Sequence, residues 1–440
     1  MIRRMVTNPI PQFPAGFLWG VSTSAHQIEG AAGEREPSVW DAFTAEPGRV
    51  KDGSTAAVAC DSYHRYREDV ALLAGLGVDA YRFSISWPRV NSPGGLDYYD
   101  RLVDELCGAG VRPVPTLFHW DLPASLDWLE RDTASRFAEY VSVVAERLGD
   151  RVTKWITLNE PAEHTLLGHA LGAHAPGRRL MFGALPVAHH QLLAHGLAVR
   201  ALRAAGAADI GIANSHGPTW PASRSPEDVD AAEFYDVLLN RLFSDPLLLG
   251  HYPEGIGALL PGDVEADLKV IAEPVDWYGI NYYAPVKVGA PQGTEIEFGG
   301  LTLPAGLPFS VREIEGHPVT DFGWPVVPEA LTELLTGFRE RYGDRLPPIV
   351  ITENGCSYEG VDDQERIAYL DGHIRALHRA VEAGVDVRGY FVWSLLDNFE
   401  WAEGYAQRFG LVHVDFEDGA LARTPKVSYA WLRDALRARR

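Results

Sequence analysis

Two glutamates of this sequence follow short hydrophobic runs in nearly matching surroundings. Glu160 comes after KWITLN (154–159), and Glu353 is the last residue of PIVITE (348–353). One interpretation of Glu353 is a solvated residue at the start of a turn, because Asn354-Gly355 is a turn signal. The other is a reactive carboxylate that a rigid strand end holds in place. Glycosidic bond hydrolysis is the reaction that most directly requires two opposed carboxyls, one to attack the anomeric carbon or activate water and one to protonate the departing oxygen.

Polar and aromatic residues follow other hydrophobic runs as well. A sugar has apolar C–H faces and a rim of hydroxyl groups, so it fits flat aromatic rings flanked by hydrogen-bonding side chains. A single Trp is more typical of a core, but here the Trp residues stand beside polar groups where the chain is expected to leave its strands. The residues of this kind are Gln27, His119, Trp120, Asn159, Asn281, Tyr283, Trp393, Glu400 and Trp401.

These residues need elements that bring them together, and the sequence alternates between short strands and amphipathic helices. The helical patterns at 61–77, 133–150 and 363–384 have apolar residues at helical spacing, with Thr133 as a predicted N-cap and Gly384 at an end. The eight predicted strands are 17–22, 80–85, 112–118, 154–159, 209–214, 276–283, 348–353 and 388–396.

Eight strand–helix units without a linker predict an α/β protein with one closed (β/α)8 TIM barrel, a single domain spanning residues 1–440. A doubly wound sheet is the alternative, but the sequence has neither G-x-G-x-x-G after its first strand nor a P-loop. In such barrels the active site lies at the C-terminal ends of the strands. Strands four and seven are predicted to face each other across the barrel, and the sequence leaves open whether their spacing suits retention or inversion.

The segment 284–328 follows the sixth strand and is rich in Pro and Gly. It is too long for an ordinary connection within a barrel. We therefore expect a long inserted loop near the barrel mouth, which carries Trp324 to the aglycone side of the site.

Composition limits the partners that the chain can have. The net charge of −21 argues against a nucleic-acid role, and no run approaches the ~18 apolar residues of a membrane helix. The first 20 residues lack a signal-like apolar run and the three cysteines are far apart, which predicts a cytoplasmic protein. His189, His190 and His195 lack the H-E-x-x-H pattern, so no metal site is expected. The oligomeric state is not readable from the sequence.

Three motifs carry a resemblance to a known family. They are TLNEP (157–161), ITENG (351–355) and WSLLDNFEWAEGY (393–405), with FPAGFLWGVSTSAHQIEG (13–30) near the amino terminus. At these residues the sequence resembles glycoside hydrolase family 1, the β-glucosidase family. The resemblance runs almost end to end, and it implies a (β/α)8 barrel that hydrolyses β-glycosides with retention, without a metal or organic cofactor.

The resemblance also implies a role for each candidate residue. Glu353 would be the nucleophile, Glu160 the acid/base, and Tyr283 the tyrosine that holds the nucleophile. Asn159 would meet the sugar 2-hydroxyl, and Asn281 would be a more remote contact. The other residues implied to contact the substrate are Gln27, His119, Trp393, Glu400 and Trp401.

Glu400 distinguishes two branches of that family. The branch that takes 6-phosphorylated sugars usually has Ser there, with Lys and Tyr downstream where this chain has Gln407 and Phe409. A carboxylate would repel a phosphate, so the predicted substrates are small unphosphorylated β-glucosides, with β-galactosides and β-fucosides as further substrates. A transglycosylase with the same residues is one alternative. A carbohydrate-binding pseudoenzyme is another, although it would have lost a carboxylate.

Overall fold

Eight parallel strands close into a barrel, which confirms the predicted (β/α)8 fold. The computed structural model describes residues 9–298, 301–417 and 419–439. Each strand pairs with its neighbours in chain order, and the last strand pairs with the first. The barrel strands are β1 (Leu18–Ser22), β2 (Ala80–Ser84), β3 (Arg112–Phe118), β4 (Trp155–Asn159), β5 (Ile210–Ser215), β6 (Trp277–Asn281), β7 (Ile349–Asn354) and β8 (Val387–Trp393).

The barrel closes along the seam between β1 and β8. Their register runs from Leu18 opposite Gly389 to Ser22 opposite Trp393. Gly20 lies on this seam because a Cβ there would come within 2.3 Å of the Phe391 ring. One buried residue from each strand forms a separate apolar cluster, made of Leu18, Ala80, Val114, Ile156, Ala213, Trp277, Val350 and Phe391.

Helices surround the barrel and bury their apolar faces against it. The longer ones are Ser62–Leu76, Gly95–Gly108, Asp132–Leu148, Leu185–Ala204, Pro226–Asp236, Val264–Ile271, Pro328–Tyr342, Gln364–Glu382 and Val427–Ala438. Shorter helical turns include Ala25–Ile28, Val39–Thr44, Trp87–Val90, Pro161–Glu163 and Leu242–Leu248. Two segments, His164–Ala170 and Val237–Arg241, are π-helical.

Two details of the sequence prediction are wrong. Thr133 is not an N-cap, because the helix begins at Asp132 and the Thr133 hydroxyl donates to the Asp127 carbonyl at 2.5 Å. Strands β4 and β7 are not diametrically opposed, since β5 and β6 separate them on one side of an eight-stranded ring. Residues at the two strand ends therefore approach each other obliquely across the mouth.

The segment 284–328 contains regular structure. Val286–Gly289 pairs with Thr219–Pro221 on one side and with Ser310–Arg312 on the other. Ile296–Phe298 and Leu301–Leu303 form a separate antiparallel pair. This part of the chain is thus a small β-layer attached to the barrel. Within the described ranges, no helix combines the length and apolar character that a membrane span requires.

Candidate active site

The C-terminal ends of the strands open into a cavity of about 520 Å³. Nine of the predicted site residues line it, namely His119, Trp120, Glu160, Tyr283, Trp324, Glu353, Trp393, Glu400 and Trp401. The other three, Gln27, Asn159 and Asn281, are fully buried and reach these residues through hydrogen bonds. The structure therefore brings all twelve residues together at one end of the barrel.

Glu353 is held at the end of β7 by two donors. The Arg82 guanidinium donates to Oε1, and the Tyr283 hydroxyl donates to Oε2 at 2.6 Å. The register between β7 and β6 shifts between Ile351 and Glu353. Bulges of this kind redirect a side chain, and they are common beside active sites. Both carboxylate oxygens are thus fixed in position by hydrogen bonds.

Arg82 connects the two halves of the site. Its side chain is completely buried on β2, and its second terminal nitrogen donates to Asn159 Oδ1 at 2.6 Å. Its Nε donates to Thr116 Oγ1 on β3 at 3.2 Å. One guanidinium therefore ties strands β2, β3, β4 and β7 together beneath the mouth, and its charge balances that of Glu353.

Glu160 follows β4 in a left-handed backbone conformation, with a φ of 45°. A non-glycine residue in this region is strained, and such strain clusters at functional sites. Asn281 donates to Glu160 Oε1 at 2.8 Å, and the Asn281 amide is itself oriented by Thr352, which donates to its Oδ1. Burial raises the pKa of Glu160 well above its usual value, and the negative charge of Glu353 raises it further.

Tyr283 contributes a neutral phenol. Burial raises its pKa well above the usual value, and the charge of Glu353 adds to the effect. The hydroxyl therefore keeps its proton at neutral pH and can donate to Glu353. On the other side of the ring, Trp324 lies 5.2 Å away between centroids, so the segment 284–328 contacts the site directly.

Gln27 and Glu400 form a polar pair at the seam of the barrel. Gln27 Nε2 donates to Glu400 Oε2 at 3.1 Å and to Asn398 Oδ1 at 3.1 Å. Burial, followed by the charge of Glu353, raises the pKa of Glu400 to about 8. In its protonated form this carboxyl can both donate to and accept from a hydroxyl group.

Aromatic rings form the remaining wall of the cavity. The His119 ring stacks on Trp393 with centroids 5.8 Å apart and on Trp401 at 6.1 Å. Burial lowers the pKa of His119 well below its usual value, so the ring is neutral. Parallel flat rings beside a polar pair and two carboxyls match the apolar faces and hydroxyl rim of a sugar.

A comparison with protein families shows to which family the chain with this site belongs. The model of glycosyl hydrolase family 1 matches residues 10–440. The chain belongs to that family. The family 1 membership predicted from the motifs is confirmed, and the protein is a glycoside hydrolase.

Relatives of this family 1 chain match it over nearly their whole length. Beta-glucosidase A of Acetivibrio thermocellus is 42% identical, and the alignment covers 97% of this chain and 98% of the relative. A bifunctional beta-D-glucosidase/beta-D-fucosidase of Bifidobacterium breve is also 42% identical, with coverage of 96% and 97%. The solved family 1 β-glucosidase of Thermotoga maritima is 40% identical with a TM-score of 0.91, and 98% of this chain and 99% of that chain are covered.

Sequence reasoning missed two polar residues of the family 1 site. Arg82 lies inside the predicted strand 80–85, where a single Arg resembles a solvated interruption. The position of Arg82 in the sequence could have indicated its role. A cation between apolar residues of a barrel strand needs a buried partner of opposite charge. Glu163 lines the cavity three residues after Glu160, and nothing in the motif TLNEP pointed to it.

Proposed function

We propose that this glycoside hydrolase is a retaining β-glucosidase acting on small unphosphorylated β-glucosides. The observation that carries the proposal is the unequal environment of the two carboxyls. Glu353 accepts hydrogen bonds from Arg82 and Tyr283, whereas burial and the charge of Glu353 keep Glu160 protonated. Environments that push two titrating groups apart assign the acid and the nucleophile.

The first half of the reaction follows from this division. The Glu353 carboxylate attacks the anomeric carbon, while Glu160 gives its proton to the departing oxygen. The product is an ester between Glu353 and the sugar. Esterification removes the negative charge of Glu353, which is one cause of the raised pKa of Glu160.

The second half reverses the roles. With the charge of Glu353 gone, the pKa of Glu160 falls, so its carboxylate can accept a proton from water. The water attacks the anomeric carbon from the side that the aglycone has left, and Glu353 departs as a carboxylate. Two inversions at the same carbon give overall retention.

The glycone contacts support glucosides and related sugars. Gln27 and Glu400 each have two polar atoms at the same seam, so either could serve an equatorial or an axial 4-hydroxyl. The Bifidobacterium breve relative is named for both glucosidase and fucosidase activity. We therefore propose β-galactosides and β-fucosides as additional substrates. The carboxyl of Glu400 offers no positive charge to a 6-phosphate, which supports the unphosphorylated class.

Replacement of the nucleophile tests the mechanism. Glu353→Ala should abolish turnover, because no group remains to form the ester. Added azide should occupy the vacated space, restore release of the aglycone and give an α-glycosyl azide, identified by NMR. Unchanged hydrolysis in Glu353→Ala would remove Glu353 from the mechanism, and a β-glycosyl azide would contradict the assigned face of attack.

A panel of nitrophenyl β-glycosides tests the substrate class. The glucoside should have the highest kcat/KM, with measurable galactoside and fucoside activity, and the 6-phosphoglucoside should be the poorest. Product analysis with excess acceptor sugar separates a hydrolase from a transglycosylase. A cytoplasmic location stays a prediction, which cell fractionation tests.

A further inference from the structure

Many residues that line the cavity have no part in the sugar-binding roles described above, and the part of the wall that they form is here called the side chamber. Its walls come from three parts of the chain, namely 163–167, 215–240 and 303–311. Most of the residues that line it are apolar: Leu166, Leu167, Tyr235, Leu239, Leu303, Leu307, Phe309 and Val311. Tyr235 and Phe309 pack edge to face with centroids 5.1 Å apart. The side chamber therefore suits a flat apolar group.

Both π-helical segments of the described chain contribute to this chamber. His164–Ala170 places Leu166 and Leu167 on its wall, and Val237–Arg241 places Leu239 and Asn240 there. π-helical turns are rare in proteins and frequently lie at functional sites. Two irregular helical turns therefore line the same cavity.

Glu163 is the carboxylate on this wall. It ends the short helix that starts after Glu160, and its side chain is half-buried. Burial raises its pKa, and the Ser215 hydroxyl opposes that rise. The charge of Glu163 in turn helps raise the pKa of Tyr235, after burial, so the two side chains are neighbours. Across the described residues, Glu163 forms no ion pair with a basic side chain.

A partly buried carboxylate without a cationic partner is poorly compensated for its lost hydration. A ligand that donates a hydrogen bond to it recovers much of this loss, while an ether or a bare ring at the same place does not. The side chamber thus combines an apolar surface for a ring with one strong acceptor near the acid/base. Glu160 lines the same cavity, so both features share it with the residue that protonates the departing oxygen.

We propose that the side chamber holds the aglycone and that Glu163 selects aryl aglycones bearing a hydrogen-bond donor, such as a phenolic hydroxyl. The proposal rests on the β-glucosidase function proposed above. Glu163 is a specificity-determining residue, distinct from the groups that break the glycosidic bond. Its charge also contributes to the raised pKa of Glu160, so a variant of Glu163 will alter catalysis of every substrate.

The test therefore compares substrates within one enzyme. Phenyl, hydroxyphenyl and methoxyphenyl β-glucosides, substituted at ring position 3 or 4, release phenols of similar acidity. A changed pKa of Glu160 affects all of them equally and cancels in the ratio of their kcat/KM values. In the wild type, the kcat/KM of the better hydroxyphenyl glucoside should exceed that of the methoxyphenyl glucoside substituted at the same position by about 10- to 150-fold. This ratio corresponds to the free energy of a hydrogen bond to a charged group.

Substitution of Glu163 should remove that preference. Glu163→Leu should bring the ratio close to one, and Glu163→Gln, which keeps size and a neutral acceptor, should give an intermediate ratio. The matched control is Glu403→Gln. Glu403 also lines the cavity, but it is paired with Lys51 at 2.7 Å and lies outside the side chamber, so the ratio should stay at the wild-type value.

Three outcomes overturn the proposal. A wild type that hydrolyses phenyl β-glucoside without preferring hydroxyphenyl substrates refutes the role of Glu163 and leaves the β-glucosidase function intact. If the ratio of hydroxyphenyl to methoxyphenyl kcat/KM is equal in the wild type and in Glu163→Leu, the role of Glu163 is likewise refuted and the β-glucosidase function stays intact. A wild type that hydrolyses none of these β-glucosides refutes the proposed function as well. If Glu163→Leu fails to fold by circular dichroism, Glu163→Gln alone decides between these outcomes.

Discussion

The hydrogen bond from Tyr283 to Glu353 allows a quantitative test of the two-step mechanism. The hydroxyl donates to Glu353 Oε2 at 2.6 Å, and the raised pKa of Tyr283 keeps the proton in place at neutral pH. In the second step Glu353 regains its negative charge as the ester breaks, and this donor stabilises it. In the first step the carboxylate is already charged, so less depends on the donor.

Tyr283→Phe should therefore slow the second step more than the first. A hydrogen bond to a charged group contributes about 1.5–3 kcal/mol, which corresponds to a loss of about 10- to 150-fold in kcat. The glycosyl-enzyme should then accumulate, so KM falls with kcat. Stopped-flow measurement with a dinitrophenyl β-glucoside should show a burst of one dinitrophenolate per active site.

Tyr282→Phe is the matched control. Tyr282 is the adjacent buried phenol, but its hydroxyl donates to the Val327 carbonyl at 3.0 Å. Its loss should lower stability without producing a burst. A Tyr283→Phe enzyme with kcat within about twofold of the wild type, or a slow enzyme without a burst, would refute the reasoning.

Two further substitutions probe the acid/base and the buried charges. Asn281→Leu removes an amide whose hydrogen bond favours ionised Glu160, so the pKa of Glu160 should rise further. Because the acid must be protonated, the alkaline limb of the kcat/KM profile should move to higher pH. Lys426→Met leaves Asp397 buried without the ammonium that contacts it at 2.8 Å. The free energy of unfolding in urea should fall by about 3–5 kcal/mol.

Each of these two predictions has an outcome that would contradict it. A pH profile of Asn281→Leu that is unchanged or shifted to lower pH would show that the amide does not set the pKa of Glu160. For the ion pair, Lys51→Met is the control, since Lys51 is half-exposed in its pair with Glu403. Its loss should cost less than about 1 kcal/mol, and equal losses for both lysines would contradict the importance of burial.

The sequence predicted the barrel well because each strand is a short apolar run bounded by turn signals. All eight predicted strands overlap β1–β8, and the helix 133–150 differs from Asp132–Leu148 by two residues or fewer at either end. The cap at Thr133 is wrong because its hydroxyl bonds outward to Asp127, a tertiary contact that local pattern does not encode. The strands within 284–328 were missed because they are only three or four residues long.

Site residues were predictable where the chain leaves a strand and hidden where they lie within one. Glu160 follows one predicted strand and Glu353 ends another, so their positions at the mouth follow from the strand pattern. Arg82 lies in the middle of β2, and its partners come from strands that only the closed barrel brings near it. The role proposed for Glu163 depends on walls contributed by distant segments, which spacing along the chain does not reveal.

The bond between Gln27 and Glu400 joins residues 373 positions apart, across the seam where β8 meets β1. During synthesis on the ribosome, almost the whole chain must emerge before this contact can form. A shorter nascent chain leaves the edges of β1 and β7 unpaired, and such edges promote aggregation. Sugar binding should consequently be among the last properties gained in refolding, so recovered activity reports closure of the seam, whereas circular dichroism reports the helices that formed earlier.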